Sequence, residues 1–181
     1  MTKRRILISL AVILTAASFA VVYAAAAGAK SDFARTTIDI GIVVNNVEKT
    51  AQFYKNALGF TEIPGFDITA DKGRDTGLTD SRAFSVRVLV PANEPNATRI
   101  KLIEFPDAPG RKIDNQFIHS SLGVRYLTIL VSDTNAAVER ARKAGVTPIK
   151  EPYQLSPSGS YLTLLRDPDG NIIELVGPKK N

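Results

Sequence analysis

Apolar residues alternate with small or acidic residues over positions 38–44, which predicts a β-strand with one apolar face. The isoleucines of this stretch would meet a helix, whereas Asp39, on the other face, would look towards a cavity or solvent. From Asn46, a residue suited to cap a helix, apolar residues recur at helical spacing until Gly59. Three more strands are predicted near residues 60–64, 82–90 and 98–105, with a long loop at 67–80 and a turn at 91–96.

The same order of patterns returns in the second half of the chain. An apolar strand is predicted near 124–131, Asp133 is suited to cap the helix that follows, and Gly145 is suited to end it. Further strands are predicted near residues 146–150, 159–165 and 171–176. The repeat predicts one domain over 36–177, made of modules 36–105 and 124–177 that are related by a pseudo-twofold axis with a cleft between them.

Residues 1–29 resemble an export signal rather than part of the fold. Three basic residues, the last of them Arg5, precede an apolar run from Ile6 to Gly28, and small residues up to Ala29 offer cleavage sites for a signal peptidase. We therefore expect an exported protein, periplasmic or extracellular. The run is long enough to span a bilayer, so a retained membrane anchor is the alternative.

Composition narrows the function classes. Removing the signal takes away three basic residues and no acidic one, so the formal charge falls from +5 to +2. A nearly balanced surface without a basic block gives no support for nucleic-acid binding. The absence of cysteine excludes disulfides, thiolate catalysis and cysteine-ligated metals.

Two motifs resemble a known family. FYKNALGF at 53–60 and RDPDGNIIELVG at 166–177 are similar to the vicinal oxygen chelate superfamily, which includes glyoxalase I, methylmalonyl-CoA epimerase, extradiol dioxygenases, and fosfomycin and bleomycin resistance proteins. The resemblance implies an α+β fold in which two βαβββ modules pair into an open, cup-shaped mixed sheet. It also implies a divalent metal ion in the cup.

The ligand positions that the resemblance implies are altered in this chain. The family usually has a histidine on the first strand of each module, where this chain has Asp39 and Tyr126. It usually has a glutamate or glutamine on the last strand, where this chain has Lys101 and Glu174. A charged lysine ammonium has no lone pair and repels a cation, so no metal is expected; if one is present, Asp39 and Glu174 would hold it.

Several residues keep alternative interpretations. Lys101 and Glu174 occupy matching places in the two modules, so we expect them to pair across the cup or to act as a proton-transfer pair. His119, the only histidine, lies in the linker and is expected at the surface. Glu104 would need a strand bulge to enter the cup. Four arginines near strand ends either attract an anionic ligand or are simply solvated: Arg82, Arg87, Arg99 and Arg125.

The leading hypothesis is therefore an exported protein that binds a small molecule in the cup without a metal, through Asp39, Lys101, Tyr126 and Glu174. One alternative is a metal-dependent lyase, isomerase or extradiol-type dioxygenase. The other is a metal-free acid–base enzyme that uses Lys101 and Glu174. The sequence leaves open whether two chains form a homodimer.

Overall fold

The structure, a computed structural model, describes residues 32–157 and 159–180. Among the described residues, those from Thr37 onward form one compact unit. The predicted export signal lies outside the described residues. Within the part of the chain that is described, no helix has the length and apolar character needed to cross a membrane.

The compact unit follows the repeated order that the sequence predicts. Its strands are β1 (Asp39–Val43), β2 (Thr61–Ile68), β3 (Phe84–Val90), β4 (Arg99–Ile103), β5 (Tyr126–Leu130), β6 (Lys150–Gln154), β7 (Ser160–Arg166) and β8 (Ile172–Pro178). Its helices are α1 (Val47–Gln52), which continues into a π-helical turn (Phe53–Ala57), α2 (Ala70–Asp75) and α3 (Thr134–Lys143).

The strands form two four-stranded sheets of identical topology. Their orders are β1-β4-β3-β2 and β5-β8-β7-β6, and in each sheet only the first pair is parallel. Each parallel pair ends in an equivalent backbone hydrogen bond. The Val44 N–H donates to the Ile103 carbonyl and the Val131 N–H to the Val176 carbonyl, both at 2.8 Å. The predicted repeat and the glyoxalase-like arrangement are thus confirmed, with the two sheets remaining separate and β1 and β5 as their end strands.

Each first strand leads into a helix through the predicted cap. The side chains of Asn46 and Asp133 accept hydrogen bonds from backbone N–H groups in the first turn of α1 and α3. Gly59 and Gly145 end the two helical segments with φ of 77° and 79°, values that favour glycine. The cap and stop signals of the sequence therefore act where they were predicted.

One hydrophobic core lies between the helices and both sheets. Its members include Tyr54 of the π-helical turn, Leu102 of β4, Ala141 of α3 and Ile173 of β8, all fully buried. Ile40, together with the next isoleucine of β1, packs against this core, as the sequence predicts for the apolar face of that strand. The helices thus cover one face of each sheet and leave the opposite face open.

Two segments differ from the sequence prediction. The predicted loop at 67–80 contains the end of β2 and the helix α2, because Thr69 caps that helix by accepting from the Lys72 N–H at 3.3 Å. The strand predicted at 146–150 lies instead at Lys150–Gln154. Residues 146–149 connect the end of the helix at Gly145 to the strand. The first hydrogen bond to β7 is made by the Ile149 N–H.

We expect Gly59→Ala to destabilise the protein more than Gly145→Ala. Both substitutions place alanine in the left-handed region, at a cost of about 1–2 kcal/mol. A Cβ at position 59 would lie 3.2 Å from the Arg140 guanidinium, whereas position 145 has nothing within 4 Å. Arg140 Nε donates to the Ala57 carbonyl at 3.1 Å and so joins α3 to the π-helical turn.

Chemical denaturation of both variants measures the difference in the free energy of unfolding. The control is the same pair in an Arg140→Ala background, where the two glycine substitutions should cost equal amounts. Equal costs in the wild-type background would show that the Arg140 contact contributes nothing.

Candidate functional site

The register of the parallel strand pairs decides which side chains face away from the helices. In the first module Ile100 and Leu102 are buried in the core, so Lys101 between them points to the opposite face. In the second module Ile173 and Leu175 are buried, which places Glu174 in the same way. We call this open side the cup face.

The four predicted site residues all occupy this face. Lys101 is registered opposite Gly41 on β1, and Glu174 is registered opposite Thr128 on β5. Asp39 and Tyr126 lie two residues before these partners and therefore point to the same side of their sheets. The equivalence that the sequence suggests, Asp39 with Tyr126 and Lys101 with Glu174, follows directly from the hydrogen-bonding register.

In the first module the cup face carries an ion pair. Lys101 Nζ lies 2.9 Å from Asp39 Oδ2, and the two side chains are only 29% and 17% exposed. The same ammonium group lies 5.9 Å from the centroid of the Phe66 ring, within range of a cation–π interaction. Partial burial of both partners shields this pair from the solvent screening that weakens surface ion pairs.

In the second module the equivalent acid has a neutral partner. Glu174 Oε2 accepts a hydrogen bond from Thr128 Oγ1 at 2.7 Å. The ion pairs of the described residues include none with Glu174, so the predicted bridge between Lys101 and Glu174 is not formed. The reason is geometric: Asp39 is a diagonal neighbour of Lys101 in the same sheet, whereas Glu174 belongs to the other sheet.

The donor set of the cup face does not fit a divalent ion. Two carboxylates, a phenol and an ammonium occupy the four positions, and the ammonium already contacts the Asp39 carboxylate. Across the described ranges, no three histidine, cysteine, aspartate or glutamate side chains lie close enough together to hold a metal. A dication placed beside Asp39 would have to displace Lys101 or bear its repulsion.

The other candidate residues have structural roles. Glu104 Oε2 accepts from the Val47 N–H at 2.8 Å, so this carboxylate serves the first turn of α1 and not the cup. His119 is exposed and stacks on Phe117 with ring centroids 5.6 Å apart, in agreement with the surface location expected for it. Arg87 pairs with Glu62 at 2.6 Å, and this hydrogen bond is the largest influence lowering the pKa of the Glu62 carboxyl.

The repeat predicts a cleft between the modules but does not locate it; in the structure a gap separates β1 from β5, and we call this gap the seam. Two cavities of about 230 and 530 Å³ lie along it. Of the four predicted site residues only Tyr126, 45% exposed, lines them. Arg125, which the sequence places merely near a strand end, lines the smaller cavity together with Asn171.

A tight turn positions the strand that carries Glu174. The Asp167 carboxylate is 4% exposed and accepts hydrogen bonds from the backbone N–H groups of Asp169 at 3.0 Å and Asn171 at 2.8 Å. The Asn171 side-chain amide donates to the other carboxylate oxygen of Asp167, Oδ2, at 2.8 Å. Burial raises the pKa of the Asp167 carboxyl, and the hydrogen bonds from Asn171 oppose this shift.

The chain is similar in sequence to proteins of one family. The profile described as Glyoxalase/Bleomycin resistance protein/Dioxygenase superfamily matches residues 36–175. Two proteins named lactoylglutathione lyase, from Neisseria meningitidis serogroups A and B, are each 24% identical over 136 residues, which is 75% of this chain and 86% of theirs.

Solved structures show the same fold. A glyoxalase family protein from Bacillus cereus has a TM-score of 0.67 at 23% identity, covering 84% of this chain and 99% of that one. Leishmania major glyoxalase I, described as trypanothione-dependent, has a TM-score of 0.57 at 23% identity, covering 80% of this chain and 87% of its own. At such identities the likeness is one of fold.

We expect the pH dependence of stability to change in Asp167→Asn. Between the ordinary pKa of an aspartate and the raised pKa of Asp167, the folded protein binds more protons than the unfolded chain, so this group lowers the free energy of unfolding as pH rises. Removing the carboxyl should make that decline shallower. Denaturation at a series of pH values measures the slope.

The control is Thr163→Val, which removes a buried hydroxyl that does not titrate in this range; it should lower stability by the same amount at every pH and so keep the slope of the wild type. An unchanged slope in Asp167→Asn would contradict the assigned shift, whatever the loss of absolute stability.

Proposed function

Because the chain belongs to the Glyoxalase/Bleomycin resistance protein/Dioxygenase superfamily, we propose that it binds a small molecule in the cup between its modules and does so without a divalent metal ion. The observation that carries this proposal is the Asp39–Lys101 ion pair at 2.9 Å. It places a resident cation at the positions where the resemblance implies metal ligands. Lys101 thereby neutralises Asp39 in the way an ion would.

The charges of the cup face indicate which ligand groups it favours. Asp39 and Lys101 cancel each other, which leaves the Glu174 carboxylate with the Thr128 hydroxyl as its only hydrogen-bond partner among the described residues. A carboxylate oxygen has several acceptor sites, so Glu174 can take further hydrogen bonds. The ligand we propose for the cup therefore presents a cationic group or hydrogen-bond donors to Glu174.

A metal-dependent lyase is the second candidate. Two similar proteins carry the name lactoylglutathione lyase, and Glu174 keeps a residue type that suits metal binding. Lys101 argues against a metal-dependent lyase, because its ammonium group has no lone pair and cannot ligate a metal ion. A metal-free acid–base mechanism with Lys101 and Glu174 as one pair has less support, because each of them has a different partner.

We also propose that the protein acts outside the cytoplasm, on the strength of the signal pattern in residues 1–29. Amino-terminal sequencing of the protein recovered from the periplasm or medium should give a start near residues 25–31. Recovery of a full-length species only in the membrane fraction would show that the segment is a retained anchor.

For the metal, we expect wild-type protein and Glu174→Ala to give the same weak response when titrated with Mn²⁺ at neutral pH. Lys101→Glu should instead gain Mn²⁺ affinity, because it replaces the resident cation beside Asp39 with a carboxylate, the third at the four site positions of the cup face, and oxygen ligands suit hard ions. Isothermal titration calorimetry measures all three proteins.

Lys72→Glu is the matched control, since it makes the same charge change on the exposed surface of α2 and should not gain affinity. Tight Mn²⁺ binding by the wild type that disappears in Glu174→Ala would overturn the metal-free proposal and favour the lyase.

A further inference from the structure

The seam between the two sheets offers a second binding site, which shares Tyr126 with the cup face but uses none of the charged side chains Asp39, Lys101 and Glu174. β1 and β5 end their sheets, so each presents one edge of backbone N–H and C=O groups that no neighbouring strand covers. No backbone hydrogen bond of the described residues joins β1 to β5. The two cavities of the seam occupy the space that such pairing would otherwise close.

The larger cavity is apolar. Its volume of about 530 Å³ lies in the range of small-molecule pockets. Phe60, Ile100 and Ile129 form its inner wall, and Ile38 and Leu130 stand at its mouth with 69% and 80% of their surfaces exposed. Exposed aliphatic side chains around a concave apolar wall are a surface from which a ligand would remove water.

The smaller cavity shares walls with the larger one and carries a charge. Val124, Tyr126 and Leu127 line both, so the two spaces adjoin. Arg125 lines only the smaller cavity, and of the described residues that line either cavity it is the single charged one. An apolar space thus leads towards one cation.

The guanidinium of Arg125 is fixed but incompletely satisfied. Its Nη2 donates to the Asp114 carbonyl at 2.8 Å and its Nε to the Ile118 carbonyl at 3.2 Å, which holds the group against the linker. Its Nη1 is buried and has no hydrogen-bond partner among the described residues. A buried cationic donor without an acceptor is costly, and a ligand carboxylate in the cavity would remove that cost once the Arg125 side chain turns its Nη1 towards it.

We infer that the seam binds a small carboxylic acid with an apolar tail, the carboxylate on Arg125 and the tail in the apolar cavity. A carboxylate matches the single guanidinium in charge, whereas a phosphate monoester would bring a second negative charge with no second cation on the walls. The site shares Tyr126 with the cup but uses none of Asp39, Lys101 and Glu174, so substitutions at these charged residues distinguish the two sites.

The test uses octanoate as the probe and isothermal titration calorimetry as the measurement. Wild-type protein should bind octanoate at least about tenfold more tightly than 1-octanol, because only the acid makes a charge-assisted hydrogen bond. Arg125→Gln should abolish this preference. Arg74→Gln, which removes an equal charge from the exposed surface of α2, should keep it.

A second pair of variants avoids the linker that Arg125 holds. Leu130→Asp places a carboxylate at the mouth of the apolar cavity and should weaken octanoate binding about tenfold or more. Leu78→Asp makes the same change at a residue that is 65% exposed and lines neither cavity, and should have no effect. If Arg125→Gln does not fold, the inference is tested by the Leu130→Asp and Leu78→Asp pair and by the difference in wild-type affinity between octanoate and 1-octanol.

The inference is overturned if wild-type protein binds octanoate no better than octanol, or if folded Arg125→Gln keeps the preference. Lys101→Glu separates the seam from the cup: octanoate binding that survives this change belongs to the seam, and loss of binding assigns the ligand to the cup face instead. The metal titration above is unaffected by either result.

Discussion

The strand register imposed by the core is the constraint on which the rest of the structure depends. Because side chains alternate along a strand, a slip of one residue in β4 would turn Ile100 and Leu102 out of the core and Lys101 into it. Ile100 and Leu102 are both almost fully buried, so such a slip would expose much apolar surface and bury the charge of Lys101. The site positions are therefore fixed by packing on the opposite face of the same strands.

The two modules are held together by the helix side, not by strand pairing. α3 meets the π-helical turn through small core residues, among them Ala57 and Ala141, which let the helical segments approach closely. Tyr54 of that turn is fully buried; burial, followed by the nearby charge of Asp167 in the other module, raises the pKa of its hydroxyl. With the joint made there, β1 and β5 need not pair, and the seam between them stays open as a pair of cavities.

The sequence predicted most of the fold because its signals are local. The cap at Asn46, the stop at Gly59 and the alternation in β1 each depend on a few neighbouring residues, and all were confirmed. α2 was missed because glycine- and aspartate-rich composition favours a loop, while the helix forms around a single threonine cap. The cup-face residues were placed by resemblance and alternation, but their partners were not: Asp39 rather than Glu174 contacts Lys101, because pairing depends on which strands are adjacent.

The repeat predicts a cleft between the modules, but its position at the seam could not be predicted, because it depends on the distance between two strand edges that are far apart in the sequence. The seam and the cup face also differ in the charges that they present. At the four site positions of the cup face two carboxylates, those of Asp39 and Glu174, are present with one ammonium, that of Lys101, so these positions favour cationic groups and donors. Among the described residues that line the seam, Arg125 is the only charged one, so that space favours an anion. Two neighbouring sites of opposite electrostatic preference allow one small domain to discriminate between ligands by charge, and each preference can be altered by changing a residue that the other site does not use.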